Sequence, residues 1–174
     1  LDLAQETPKA ILAGNKIFLS FKVEESPNEN LYFQLLDRNN LSPDGDATAL
    51  ADPSTSKQGF DMVYGEDNNI YYAYSENYDI SVKKISNTGT VSWTAPAVST
   101  SADDIVKAIY PSPISGCVII YESQSFIEGS HIYALAVSAS GDVQSGWPVI
   151  LSDLSEDQYY ESSALTNDGI FISF

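Results

Sequence analysis

Four stretches read as variants of one another: Gly14-Asn-Lys-Ile-Phe-Leu-Ser-Phe21, Asn69-Ile-Tyr-Tyr-Ala-Tyr74, Ser115-Gly-Cys-Val-Ile-Ile-Tyr121 and Asn167-Asp-Gly-Ile-Phe-Ile-Ser-Phe174. Each follows a polar turn and closes on an aromatic residue. Those aromatics, Phe21, Tyr74, Tyr121 and Phe174, stand 53, 47 and 53 residues apart, so a unit of about 50 residues recurs, the spacing of a repeat architecture.

Working outward, a second series follows the first three stretches: NLYFQLLDRNN from Asn30, DISVKKISNTG from Asp79 and HIYALAVSASG from His131. Large apolar residues alternate with others before a polar turn, the pattern of a strand. A third series, DATALADPS from Asp46, VSWTAPAVSTS from Val91 and QSGWPVILSD from Gln144, comes after that turn. A fourth opens each next unit: PKAILA from Pro8, FDMVY from Phe60, VKAIY from Val106 and ESSAL from Glu161. No segment of ten or more residues carries a 3.6-residue period. The unit is therefore a meander of four short strands, and the expected fold is all-β: a β-propeller segment of four-stranded antiparallel blades, each burying both faces against its neighbours. A β-sandwich is the runner-up.

The repeats divide into blades at residues 8–59, 60–104 and 105–159, with the first strands of a further blade at 160–174. About three and a third units do not close a ring of four to eight blades. The expectation is a larger ring, completed by more of the same polypeptide or by a partner chain.

The sequence pieces Asn30-Leu-Tyr-Phe-Gln-Leu-Leu-Asp37, Ile80 to Trp93 with Gly89, His131-Ile-Tyr133 to Trp147 with Gly141, Pro96-Ala-Val-Ser99, Pro148-Val-Ile-Leu-Ser152 and Asp168 to Phe174 resemble propeller repeats of secreted and cell-surface bacterial proteins, often ones bearing a sorting domain for type IX secretion. The resemblance covers nearly the whole chain and implies fold and an extracellular setting, secreted or at the cell surface, rather than an activity. The first unit departs from it, with Ser42-Pro-Asp-Gly-Asp46 where the Gly and Trp would stand.

Composition narrows the function. The formal charge is −16, with 8 Lys and Arg against 24 Asp and Glu, so a phosphate backbone would be repelled and nucleic acid is excluded as a partner. No apolar run approaches the length that spans a bilayer, so no transmembrane segment is expected. A basic, apolar signal segment does not open the sequence at Leu1, so any secretion signal is expected to have been removed or to lie outside it. Cys117 is the only cysteine; it lies in an apolar run, as a buried inert thiol would.

Site candidates follow from residue types. Trp93 and Trp147 hold equivalent places and could stack on sugar rings, although an aromatic recurring once per repeat is more simply a packing element between blades. The run from Ser86 to Trp93 is similar to the Asp-box of sialidase propellers, but Thr88 replaces its aspartate. Arg38 is the sole arginine, which argues against the arginine cluster that chemistry needs. Asp52, Asp103, Asp104, Asp153 and Asp157 are candidate oxygen ligands for Ca²⁺, without the DxDxDG spacing of a calcium loop. No other cofactor is expected. The pairs Glu24-Glu25, Asp103-Asp104 and Glu156-Asp157 are adjacent on extended chain and so point to opposite faces, a poor start for an acid/base pair that must converge on one bond. His131, the only histidine, offers no choice of partners for a catalytic triad.

These observations point to a noncatalytic binding or scaffold module that recognises protein or glycan through propeller loops, with enzymatic activity the less favoured outcome. The alternatives are a glycan-active propeller enzyme whose catalytic residues lie outside this segment, and a structural subunit of an envelope or secretion assembly.

Overall fold

The computed structural model describes residues 5–174 apart from 26–27, 53, 113–115, 128 and 153–155. Among them lie three four-stranded antiparallel sheets and a two-stranded one. The first sheet holds β1 (Gln5–Ala13), β2 (Lys16–Glu25), β3 (Asn28–Asp37) and β4 (Thr48–Ala49). The second holds β5 (Lys57–Tyr64), β6 (Asn69–Glu76), β7 (Asp79–Ser86) and β8 (Val91–Val98). The third holds β9 (Asp103–Pro111), β10 (Cys117–Ser125), β11 (Gly129–Val137) and β12 (Val149–Ile150). The hairpin of β13 (Ser162–Thr166) and β14 (Gly169–Ser173) opens a fourth blade. Strand order within every sheet is sequence order. The arrangement is an open, partial propeller, and the sandwich alternative falls because each sheet is a separate meander with its own neighbours.

Alternation explains why the aromatic stretches sit in the middle of blades. In β6 successive side chains leave on opposite faces. Ile70, Tyr72 and Tyr74 join Phe18, Leu31, Phe33 and Leu35 at the seam of the first two blades, while Tyr71 and Ala73 join Ile119, Tyr121 and Leu135 at the next seam. A strand apolar on both faces has no side for water and must be sandwiched. A third cluster, Ala108, Ile120, Ile132 and Ala134, faces Tyr160 and Ile172 of the last hairpin.

The first strands are innermost, β1 lying beside β5 and β5 beside β9. Side chains tie them in sequence. Lys9 Nζ donates to Asp61 Oδ1 at 3.0 Å, Asp61 Oδ2 accepts the Ile109 amide at 3.1 Å, and the Tyr110 hydroxyl reaches Ser163 on β13 at 2.5 Å. A buried tie lies one strand out: Ser20 Oγ donates to the Tyr32 carbonyl at 3.0 Å, so the 2.9 Å contact with Tyr72 has the tyrosine hydroxyl as donor.

The turn after each third strand is a second kind of joint. Ser86-Asn-Thr-Gly89 and Ser138-Ala-Ser-Gly141 close with the same bonds, glycine N–H to serine carbonyl at 2.9 and 3.0 Å. The glycines take φ of +85° and +97°. A Cβ there would press on Phe33 and Leu35 of the preceding blade in the first case and on Trp93 in the second, at 3.2–3.3 Å. Glycine thus meets both a backbone and a packing requirement. The first blade turns differently, through Leu41 at φ +60°, in line with its departure from the repeat. Its fourth strand, like β12, is only two residues long, shorter than the sequence series suggests; ahead of each, a turn bond ties the chain to the third strand, Asp44 N–H to the Leu35 carbonyl and Gln144 N–H to the Ala136 carbonyl.

Glu29 to Gln34, ENLYFQ, matches the recognition sequence of a viral protease used to remove affinity tags, yet it lies inside β3. Glu29 and Asn30 are already paired, opposite Glu24 and Val23. Leu31, Phe33 and Leu35 face the core. Such a protease needs its substrate extended and unpaired, so the folded protein should survive an incubation that cuts a denatured sample completely; a native digest yielding a fragment ending at Gln34 would contradict the placement of β3.

Candidate functional site

The connections from each outer strand to the next inner one, and the hairpins between second and third strands, converge on one face of the blades. There Asp52, Asp103, Asp104 and Asp157 are found. Asp153 lies outside the described residues. Asp52 is an exposed turn former: its Oδ1 accepts the Ser54 amide at 2.8 Å, and that bond above all holds its pKa below the ordinary range. Beside it the buried Lys57 ammonium donates to the Asp52 carbonyl at 2.6 Å and lies 3.3 Å from Glu76.

Asp103 and Asp104 open β9 and part company as alternation requires. Asp104 is wholly buried at the seam of the second and third blades. Its Oδ2 accepts the Thr100 hydroxyl at 2.8 Å, and its Oδ1 has no hydrogen-bond partner. Burial raises its pKa, against the pull of the Ser123 and Thr100 hydroxyls. A carboxyl whose pKa is raised by folding keeps its proton in the native state where the unfolded chain has lost it, so stability falls as pH rises upward from the ordinary aspartate range. Asp104→Asn should remove that loss. Denaturant midpoints of the variant and wild type should diverge in the variant's favour as pH rises through that window; parallel curves would contradict the assignment.

Asp104, Ser123 and His131 are cross-strand neighbours in one row, but the serine stands between the other two. The imidazole Nδ1 sits 3.1 Å from Gln158 Oε1, an oxygen that can only accept, so Nδ1 carries a proton and the aspartate orients no imidazole. This is not a Ser/His/Asp triad.

Asp103 faces the other side of the sheet. In a second row, Asp103, Gln124 and Ser130 pair across β9, β10 and β11 and line a cleft of about 480 Å³ together with Asp157, Tyr159 and Phe126. Asp157 is pinned by the Ser130 amide, 2.9 Å from its Oδ1. Beneath lies Glu122, buried on the same face. Desolvation pushes its pKa up, but hydrogen bonds from the Gln124 amide and the Tyr160 N–H, with the Lys107 ammonium, outweigh it and hold the carboxylate ionised below the usual range. The Tyr160 N–H and Lys107 Nζ lie 3.1 and 3.3 Å from its Oε2. Across the β10–β11 hairpin a second cleft of about 310 Å³ is lined by Thr100, Ser123, His131 and the stacked pair Tyr121 and Tyr133, whose ring centroids are 5.3 Å apart.

The sequence candidates are thus dispersed. Asp103 and Asp157 share a cleft, Asp104 is sealed behind it, and Asp52 stands at another seam. Among the described residues no three carboxylate, imidazole or thiol groups come together to hold a metal ion. Trp93 donates from Nε1 to the Ala139 carbonyl at 3.1 Å and packs against Tyr71; Trp147 packs into the seams on both sides of its blade. Cys117 is buried, and desolvation pushes its thiol up to about 12. Sequence reasoning missed Glu122, Gln124 and Ser130. Their only signal is a run of polar residues directly after Tyr121, where the repeat leaves its apolar core.

No family model matches the chain, and no curated protein is similar enough to count as a relative. Solved structures do share its fold. A thermostable family-43 glycoside hydrolase superposes with a TM-score of 0.55 at 13% identity, over 84% of this chain and 55% of that one. An endo-arabinase from Bacteroides thetaiotaomicron VPI-5482 gives 0.55 at 11%, over 95% and 68%, and a family-43 endo-arabinanase from Bacillus licheniformis 0.52 at 12%, over 92% and 63%. The chain spans between about half and two thirds of the structures it matches. At these identities the likeness is one of fold, and that fold is the propeller carried by carbohydrate-active bacterial enzymes. It overturns the expectation of a noncatalytic binding or scaffold module, and with it the lower standing given to enzymatic activity: the matching blades belong to glycoside hydrolases, which makes catalysis at least as well supported as its absence.

Proposed function

We propose that the chain is the blade-bearing part of a glycan-active propeller enzyme, a hydrolase of extracellular polysaccharide whose catalytic carboxylates are supplied in part from outside this segment. The observation that carries the reading is the superposition of 84–95% of the chain on glycoside hydrolase blades. Glycoside hydrolysis asks for two carboxyl groups flanking one bond, one to protonate the leaving oxygen and one to act as base or nucleophile. Asp61 and Glu122 are each committed to a lysine and Asp104 is sealed from solvent, whereas Asp103 and Asp157 face one open cleft and Glu66 and Asp168 another. The repeats' resemblance to type IX-exported surface proteins supports the extracellular setting in which such polymers are met.

The test is a panel of purified plant and microbial polysaccharides, arabinan included, each incubated with the full-length protein and analysed for shorter products by anion-exchange chromatography. At least one polymer should be shortened; a panel left intact by correctly folded protein would rule the proposal out.

A further inference from the structure

We propose that the cleft floored by Asp103, Gln124 and Ser130 is a sugar subsite that accepts an uncharged, hydroxyl-rich ring and turns away uronic acids. The proposal takes its ligand class from the glycan-active reading, and its geometry stands on five observations.

The floor is rich in acceptors. The Asp103 side chain has no hydrogen-bond partner among the described residues. Gln124 spends one of its two amide N–H groups on Glu122, which leaves its carbonyl oxygen as an acceptor beside one remaining N–H. Asp157 gives Oδ1 to the Ser130 amide at 2.9 Å, and its Oδ2 keeps only a long 3.4 Å contact with the Tyr159 hydroxyl. Such a surface calls for a ligand made of donors, and every sugar hydroxyl is one.

The floor also holds an orphan. Ser130 is 4% exposed and its Oγ has no partner, although a buried hydroxyl without one costs about 1–3 kcal/mol. Ser130 is one of the residues that line the cleft, so this unused hydroxyl borders it.

The rim is apolar. Phe126 stands fully exposed at the hairpin tip, with Ile127 beside it and Tyr159 across the cleft. An aromatic face left in water is the platform on which a sugar's C–H face packs.

The charge is one-signed. Among the described residues two carboxylates line the cleft, within a chain of formal charge −16, so a uronate would meet like charge at the site and at long range. A divalent cation fits less well, because no third acidic or imidazole group joins the two carboxylates among the described residues.

The hairpin geometry fixes the site in place. Gly129 takes φ +86°, and a Cβ there would run into Asp157 Oδ1, so the hairpin backbone clamps that carboxylate in its position.

Calorimetric titration of the full-length protein with linear arabino-oligosaccharides, cello-oligosaccharides, galacturonate oligosaccharides and calcium chloride separates the outcomes. At least one of the two neutral series should bind, with affinity about tenfold weaker in Phe126→Ala and similarly reduced in Asp103→Asn, both at solvent-accessible positions whose folding is checked by an unchanged thermal midpoint. Galacturonates should bind at least tenfold more weakly than the neutral series. The proposal fails if neither neutral series binds, if binding ignores both substitutions, if galacturonates bind equally well, or if calcium alone binds and is lost in Asp103→Asn. Phe126-dependent binding without hydrolysis of any polysaccharide would overturn the enzymatic reading and leave the subsite standing; hydrolysis with binding indifferent to Phe126 would do the reverse.

Discussion

Tyr72→Ala should destabilise the protein by about 3–5 kcal/mol, the range for emptying a large aromatic site in a packed interior. Tyr72 is fully buried at the seam of the first two blades, with Phe60 stacked on it at 5.8 Å and Tyr74 at 6.0 Å. Both neighbours are strand residues whose backbones are paired, so the cavity cannot easily collapse. Tyr72→Phe removes only the hydroxyl that donates to Ser20 and should cost about 1 kcal/mol. Urea titrations of the two variants measure the contrast. Equal small losses would mean that the seam is not a close-packed interface.

Glu122→Ala should cost about 3–5 kcal/mol, the usual penalty for breaking a buried ion pair by removing one partner. The loss strands the Tyr160 amide, which ties the approach to the last hairpin to the third blade, and removes the counter-charge of Lys107 within that blade. Glu122→Gln keeps the shape and one acceptor and should cost less. The pH dependence separates charge from packing. A carboxylate whose native pKa is depressed stabilises the fold above its unfolded pKa and ceases to do so as pH falls through the native value. The penalty of Glu122→Gln should therefore be full near neutrality and shrink toward zero in acid, measured by denaturant midpoints at a series of pH values. A penalty unchanged in acid would show that the ion pair is not its source.

Much of the architecture was legible in the sequence because a propeller repeats itself. Four closing aromatics at near-equal spacing, alternation on both faces of Asn69 to Tyr74 and the glycine turns after the third strands of the second and third blades all express one local rule. Trp93 was legible as a packing residue for the same reason. The ties between blades were not. Lys9, Asp61 and Ile109 lie about 50 residues apart, and nothing in any one strand says that its lysine meets the next strand's aspartate. The site was less legible still. Asp103 and Asp104 are identical neighbours in the sequence, and alternation predicts only that they diverge, not which reaches solvent. Gln124 and Ser130 become site residues only when strand register places them in one row with Asp103. The functional correction has the same origin: loops and open clefts carry the chemistry, and the repeat constrains them least.

The central claim, a propeller that acts on glycans, is tested most directly by following new reducing ends while the full-length protein is incubated with linear arabinan and with other neutral polysaccharides. The account predicts that reducing ends accumulate in proportion to time and protein concentration with at least one neutral polymer, and not with heat-denatured protein. No release from any of them, by protein whose cooperative unfolding confirms that the blades are folded, would contradict it.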